Sequence, residues 1–149
     1  MSELVRGSSV PLFDRLASGN AGDDNASWLL LPEQLQASIG RELSRLFNTR
    51  SRLPPSEFHQ NSGTVIDYGV PDFSALYARR GDDVALLESS LTRAVTLFEP
   101  RIHNVSVKVQ GVADRADAAL VQVAGDVMIG LKPQRVSFEL EMNPASGAA

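Results

Sequence analysis

Three segments in the second half of the chain place apolar residues on alternate positions. Each such set shares one side of its segment (Val105, Val107 and Val109; Val121, Val123, Val127 and Ile129; Val136, Phe138, Leu140 and Met142). Alternate residues of a strand point to the same face of a sheet, so each segment predicts a strand with one buried face. The connections ADRAD and GLKPQ are short and contain turn-forming residues. The pattern therefore predicts an antiparallel meander.

Two helices are predicted before the strands. The first runs from about Pro32 to Asn48, and the second begins near Asp82 and is ended by Pro100, which cannot donate to a helical ladder. Their apolar residues recur at helical spacing (Leu35, Ile39, Leu43, Leu46 and Phe47; Val84, Leu87, Leu91, Ala94 or Val95, and Phe98). Helices followed by a run of strands predict an α+β fold, with short helices packed on one face of a small antiparallel sheet.

The length of 149 residues predicts one domain with one core. We divide the chain into an N-terminal segment with a flexible loop (1–27), a single α+β domain (28–142) and a disordered tail (143–149). The loop is indicated by a run rich in Gly, Asn and Asp before residue 28. Within the domain, residues 52–65 are interpreted as a linker because of the Pro54-Pro55 pair.

The stretch after this linker combines apolar residues with turn formers. Val65 and Ile66 are predicted to be buried. Gly69 and Pro71 predict a turn. Asp72 is predicted to cap a short helix over residues 73–77.

Composition excludes several classes of function. The net charge is −4, from 14 basic and 18 acidic side chains, which argues against a general nucleic-acid binder. Without cysteine there is no disulfide framework and no thiolate metal site. The N-terminus has no apolar signal-peptide core, and no apolar run approaches the roughly 18 residues that span a bilayer. The sequence predicts a cytoplasmic protein that is not inserted in a membrane.

Metal, cofactor and anion sites are weakly indicated. His59 and His103 are each isolated along the chain, so a surface or hydrogen-bonding role is favoured over metal ligation. No phosphate-binding loop is found, and no cofactor is predicted. Four arginines near the end of the first helix admit two interpretations, an anion-binding surface and a solvated helix end, of which we favour the second (Arg41, Arg45, Arg50 and Arg52).

Three carboxylates are candidates for acid–base catalysis: Asp67, Asp72 and Glu99. Glycoside hydrolysis needs two carboxylates about 5–10 Å apart across a sugar cleft. Each of the three already has a structural interpretation, Asp72 as a cap, Asp67 before a turn and Glu99 at a chain corner. We therefore predict no catalytic residue and no enzymatic activity.

Glu99, Pro100 and Arg101 lie where the second helix gives way to the first strand. Proline fixes φ between the two charged residues, so both side chains leave a rigid corner. Such a corner loses little entropy when a partner binds it. It is equally compatible with an internal ion pair that holds the helix to the sheet, and the residues alone do not decide between the two.

Two motifs in this order resemble a known family. The sequences TVIDYGVPDF and FEPRIHNVSVKV, separated by the second helix, resemble the baseplate wedge family of contractile injection machines, which includes TssE of type VI secretion and the lysozyme-like tail protein of phage baseplates. The resemblance covers roughly residues 11–142. It implies a fold similar to the sheath subunit, often described as a handshake fold, and a structural role rather than lysis.

The resemblance also implies partners. The family lies beside the wedge subunits TssF and TssG, with TssK nearby, and is thought to start sheath assembly by offering a sheet edge to TssB and TssC. It implies assembly at the inner face of the cell envelope, and Glu99, Pro100 and Arg101 as part of a partner interface. A peptidoglycan-cleaving enzyme is the alternative function.

Overall fold

The computed structural model describes residues 32–73, 81–112 and 115–142. These form three α-helices, one 3₁₀ turn and three strands: α1 (Pro32–Asn48), α2 (Pro55–Phe58), the 3₁₀ turn Val65–Asp67, α3 (Gly81–Phe98), β1 (Ile102–Val112), β2 (Arg115–Ile129) and β3 (Lys132–Met142). No helix within these ranges is long and apolar enough to cross a membrane.

Helix α1 follows its sequence prediction at both ends. Pro32 occupies the first turn, where a missing N–H costs nothing, and Glu33 lies at the positive end of the helix dipole. The predicted stripe is buried, and the polar Ser38 is buried within it. One helix face therefore packs on the core while the other meets solvent.

Helix α3 begins at Gly81, one residue before the predicted start at Asp82. Its first turn carries Asp82 and Asp83, which the positive end of the helix dipole favours. It ends at Phe98, as Pro100 predicts. The side chains it buries lie on one stripe (Leu87, Ser90, Leu91, Ala94 and Val95).

The three strands form one antiparallel sheet in the order β1-β2-β3, which confirms the meander. β2 and β3 are joined by Gly130 and Leu131, between the paired residues Ile129 and Lys132. Gly130 has φ of 64° at the first central position, as a type II′ hairpin turn requires. The valines at 107, 109, 121, 123, 127 and 136 are buried on the inner face.

Both long helices cover this inner face, α3 mainly against β1 and α1 against β3. The core lies between the helices and the sheet. It includes Leu43, Leu91 and Val121, each fully buried. The arrangement confirms the α+β class, with helices on one face of a small antiparallel sheet.

The region predicted as a linker contains more structure than its prolines suggested. Pro54 and Pro55 start the one-turn helix α2, since proline is well suited to a first helical turn. Phe58 at the end of α2 is 1% exposed and belongs to the core. The helix predicted after Asp72, the N-terminal segment and the tail lie outside the described residues.

The prediction that Val65 and Ile66 are buried is wrong. Their side chains are 91% and 69% exposed on the 3₁₀ turn. The turn directs the following Asp67 inward instead, and Asp67 is 2% exposed. Hydrogen bonds from Thr64 and Arg52 hold the Asp67 carboxylate inward, and the tight turn then leaves the two preceding side chains outside.

We expect Val65→Ala to change the free energy of unfolding by less than about 0.5 kcal/mol, because surface substitutions have small effects. Val70→Ala in the same loop is the matched control, since Val70 is fully buried. It should cost at least about 1 kcal/mol. Urea denaturation of both variants measures the difference. Equal losses in the free energy of unfolding would show that the Val65 side chain is covered in solution.

Candidate functional site

The corner between α3 and β1 carries the predicted contact residues. The Glu99 N–H donates to the Val95 carbonyl at 2.8 Å, and the Ile102 N–H donates to the Glu99 carbonyl at 3.2 Å. Pro100 lies between them, exposed, and has no N–H with which to continue the helix. The chain direction is thus fixed on both sides of the proline.

Glu99 and Arg101 form a two-pronged ion pair inside this corner. The Arg101 Nε donates to Glu99 Oε1 at 2.7 Å, and its Nη2 donates to Oε2 at 2.6 Å. The side chains are 4% and 13% exposed. Paired charge-assisted bonds of this kind are among the strongest in proteins, and they fix orientation as well as distance.

A further hydrogen bond connects the ion pair to α1. Arg101 Nη1 donates to Ser38 Oγ at 3.1 Å, and Ser38 is fully buried in the stripe of that helix. The residues are far apart in sequence. The corner therefore connects α1, the end of α3 and the start of β1.

These contacts are those of an internal ion pair, which is one of the two alternatives that the sequence allows for Glu99 and Arg101. Both carboxylate oxygens of Glu99 accept hydrogen bonds from Arg101. Among the three corner residues, Pro100 is the exposed one. A contact between this corner and another protein stays a prediction.

Asp67 organises the loop that carries the first family-like motif. Its Oδ2 accepts hydrogen bonds from the Thr64 hydroxyl at 2.6 Å and the Thr64 N–H at 3.1 Å, and its Oδ1 accepts one from Arg52 Nε at 2.9 Å. Its backbone carbonyl accepts a bond from the Ser51 hydroxyl at 2.9 Å. The Thr64 hydroxyl, followed by the Arg52 guanidinium, holds the pKa of the Asp67 carboxyl below its usual value of 3.8.

This lowered pKa predicts the sign of a pH dependence. The unfolded chain binds a proton at Asp67 at a higher pH than the folded chain does, so the stabilisation is complete above the usual carboxyl range. It is lost as the pH falls through the folded pKa. Asp67→Asn should flatten the acid limb of the stability curve. Urea midpoints from pH 6 down to pH 2 test this, and an unchanged slope would contradict it.

Two of the other candidates for chemistry, His59 and Arg50, have structural partners. His59 Nε2 lies 3.0 Å from the Ser90 hydroxyl, and His103 is exposed on β1. Arg50 Nη1 donates to the Phe47 carbonyl at the end of α1, at 3.1 Å, as expected for a helix-end residue. In the part of the chain that the structure describes, no three His, Asp or Glu side chains are placed to hold a metal ion.

The two outer strands of the sheet differ. On β1, the Val109 N–H donates to Glu88 Oε1 of α3 at 2.9 Å, and Lys108 Nζ lies 3.5 Å from Glu88 Oε2. The register of β1 also shifts between His103 and Ser106. The pairing of β3 with β2 is regular from Ile129–Lys132 to Ala119–Met142.

A family model matches the part of the chain that forms the helices, the corner and the first two strands. Residues 33–130, which are 98 of the 149 residues, match the family model described as baseplate wedge protein gp25. The chain belongs to the gp25 family of baseplate wedge proteins. The matched range contains α1 except for Pro32, together with α2, α3, β1, β2 and the Glu99–Arg101 corner. Membership gives this gp25-family protein a structural role in a baseplate.

A chain of a solved complex resembles the gp25-family chain in fold. A chain of the baseplate complex from the type VI secretion system is 19% identical, with a TM-score of 0.52, and the alignment covers 74% of this chain and 96% of that one. A crystal structure from Geobacter sulfurreducens, provisionally assigned as a tail lysozyme, is 14% identical with a TM-score of 0.48, covering 76% and 96%. Among curated proteins, none matches the gp25-family chain.

Sequence reasoning missed three residues that shape the site of this gp25-family protein, namely Ser38, Thr64 and Glu88. Ser38 lies in the apolar stripe of α1, and its place between Leu35 and Ile39 was the signal that it is buried. Thr64 and Asp67 have the three-residue spacing of a capping box, and this spacing is visible in the sequence. Glu88 contacts β1 because α3 packs against that strand. Its position in the helix does not predict this contact.

Proposed function

We propose that this protein is a structural subunit of a type VI secretion baseplate that joins the wedge complex to the sheath and initiates sheath assembly. The gp25 family match, which covers 98 of the 149 residues, carries the proposal. The likeness of fold to a chain of the type VI baseplate complex supports it. Its partners would be TssF, TssG and TssK in the wedge and TssB and TssC in the sheath, at the cytoplasmic face of the envelope.

The arrangement of the carboxylates supports a structural rather than an enzymatic role. Glu99 and Asp67 are both buried, and their oxygens accept hydrogen bonds from side chains of the fold. A catalytic acid has to reach the scissile bond of its substrate. We propose that the protein does not cleave peptidoglycan. Release of soluble fragments from purified cell wall, measured beside a lysozyme standard, would overturn this proposal.

The main test is genetic. Deleting the gene should abolish fluorescent sheath foci in cells, and the full-length protein supplied from a plasmid should restore them. A tagged copy should capture wedge and sheath subunits from the complemented cells. Normal foci in the deletion strain would exclude a role in initiation.

We further propose that the Glu99–Pro100–Arg101 corner lies at the wedge contact. The buried ion pair holds Pro100 in a fixed position at the surface, so a partner would meet a preformed shape. Pro100→Asp should weaken capture of wedge subunits by the tagged protein while the melting temperature changes little. Pro55→Ala in α2, away from the corner in sequence, is the control. Unchanged capture by Pro100→Asp would place the contact elsewhere.

A further inference from the structure

Two adjacent aliphatic side chains form an apolar tip on the 3₁₀ turn, at a place where turns usually carry polar residues. Val65 is 91% exposed and Ile66 is 69% exposed, so the core gains little from either side chain. A single exposed aliphatic residue is ordinary on a protein surface. Two neighbours on a rigid support can instead act as the buried anchor of a contact.

The turn that carries the apolar tip is closed by hydrogen bonds at its base. The Asp67 N–H donates to the Thr64 carbonyl at 2.9 Å, and the Thr64 hydroxyl donates to the Asp67 carboxylate at 2.6 Å. Both bonds join the residue before the tip to the residue after it. A tip held in this way loses little further entropy when a partner binds, so it is preorganised.

The chain on either side of the turn is anchored to α3. A β-carbon on Gly63 would lie 2.9 Å from the Leu97 side chain, so the chain before the tip lies directly on the helix. After the tip, the Tyr68 ring meets the Phe98 ring edge to face, with the ring centroids 5.3 Å apart. Leu97 and Phe98 are the last two residues of α3. The apolar tip therefore protrudes from a fixed base beside the end of that helix.

A cation with unused donors lies beside the apolar tip. Arg52 Nε donates to Asp67 Oδ1 at 2.9 Å, and the Arg52 side chain is 63% exposed. Within residues 32–73, 81–112 and 115–142, no group accepts a hydrogen bond from the two terminal nitrogens of Arg52. Four of the five N–H donors of a guanidinium are on these nitrogens. The exposed end of Arg52 can therefore bind a carboxylate with two parallel hydrogen bonds.

We propose that the apolar tip, Val65 and Ile66, inserts into an apolar pocket of another baseplate subunit whose rim carries a carboxylate for Arg52. This rests on the proposed function, and it names the surface and the chemistry of the partner. Burial of the two aliphatic side chains supplies affinity. The pair between guanidinium and carboxylate fixes the orientation of the partner.

A second copy of the chain fits the apolar tip less well. Two copies that meet tip to tip would bring their two Arg52 guanidinium groups together, and like charges across a contact repel. The nearest carboxylate of the tip cannot relieve this repulsion, because Asp67 is 2% exposed and already accepts bonds from Thr64 and Arg52. The charge beside the tip therefore favours a different protein with an acidic rim.

Photo-cross-linking tests where the apolar tip lies in the assembled machine. The full-length protein with p-benzoylphenylalanine in place of Ile66 is expressed in the deletion strain. Leu131, which is 91% exposed at the turn between β2 and β3, is the matched control position. We expect a cross-link from position 66 to a wedge subunit, identified by mass spectrometry, and none to that subunit from position 131. A cross-link to a sheath subunit, to a second copy of this chain or to no protein would overturn the proposal.

Binding measurements separate the aliphatic contribution from the charged one. The probe is the purified complex of TssF, TssG and TssK, immobilised for biolayer interferometry. Ile66→Ser should raise the Kd at least about tenfold, whereas Leu131→Ser should change it less than about twofold. An Ile66→Ser protein that binds like the parent would overturn the proposal.

The salt dependence of the Kd tests the acidic rim. Arg52→Gln keeps a donor for Asp67 but removes the charge, so its Kd should rise less steeply with salt concentration than the Kd of the parent. Equal salt dependence in the two proteins would exclude the carboxylate partner. If Arg52→Gln does not fold, the parent decides, because a Kd that is constant in rising salt excludes the charged contact.

The outcomes separate this inference from the proposed function. Foci in the deletion strain would remove the function itself. Foci that need the protein but form normally with Ile66→Ser, together with an unchanged Kd, would leave the function intact and exclude the apolar tip as a contact. Ile66→Ser and Leu131→Ser should both melt like the parent, because both side chains are exposed. A loss of binding is then not a loss of folding.

Discussion

Replacing Glu99 with alanine will lower the free energy of unfolding by about 3–5 kcal/mol. Removing one partner of a buried ion pair leaves the other charge uncompensated, and this costs more than the pair contributes. Here Arg101 is 13% exposed, so water would solvate its guanidinium poorly. In a domain of this size the loss corresponds to a melting temperature lower by about 10 °C.

A double-mutant cycle isolates the pair. Arg101→Ala alone should also be destabilising, and the double variant should cost clearly less than the sum of the two single ones, because no unpaired charge is left. Glu42→Ala is the matched control. Glu42 pairs with Arg45, whose side chain is 46% exposed, and it should cost at most about 1 kcal/mol. If the Glu99→Ala protein melts like the parent, the buried ion pair does not stabilise the corner between α3 and β1.

The second large effect is expected at Gly69, where alanine should cost about 2–5 kcal/mol. Its φ is +118°, a conformation that side chains strongly disfavour. A β-carbon there would lie 2.6 Å from the Thr49 carbonyl oxygen and 2.8 Å from the Ser51 nitrogen. Both are backbone atoms, so rotation of a side chain cannot relieve the overlap.

The same close approach makes Gly69 important for the loop. The Val70 N–H donates to the Thr49 carbonyl at 2.9 Å, and the Ser51 N–H donates to the Val70 carbonyl at 2.8 Å. Gly81→Ala is the control, since nothing lies within 4 Å of the added carbon. Chemical denaturation of both variants gives the comparison. Equal stabilities would mean that the loop can shift away from residues 49–51.

Most of the scaffold could be predicted from local periodicity. The stripe of α1 and the alternation in the three strands each depend on residues close in sequence, and burial in the folded chain follows them. Pro100 set the end of α3 because its effect on the backbone is local. The corner is predictable for the same reason, since Glu99 and Arg101 are two residues apart.

The remaining features depend on contacts between distant segments. Asp67 is buried because Arg52 and Thr64 bond to its carboxylate, and Arg52 is 15 residues away. That inward position leaves Val65 and Ile66 exposed, although their hydropathy predicts burial. The contact of Ser38 with Arg101 joins α1 to the corner, and no spacing along the chain encodes it. The charge pair could be proposed from the sequence, but its burial could not.

The bond from Val109 to Glu88 ties β1 to α3 at a second point, away from the corner. Glu99 directly follows α3, and Glu88 lies 11 residues before it, which is about three helical turns. Helix and strand are thus held together both at the Glu99–Arg101 corner and well before it, so they move as one rigid hairpin and do not hinge at Pro100.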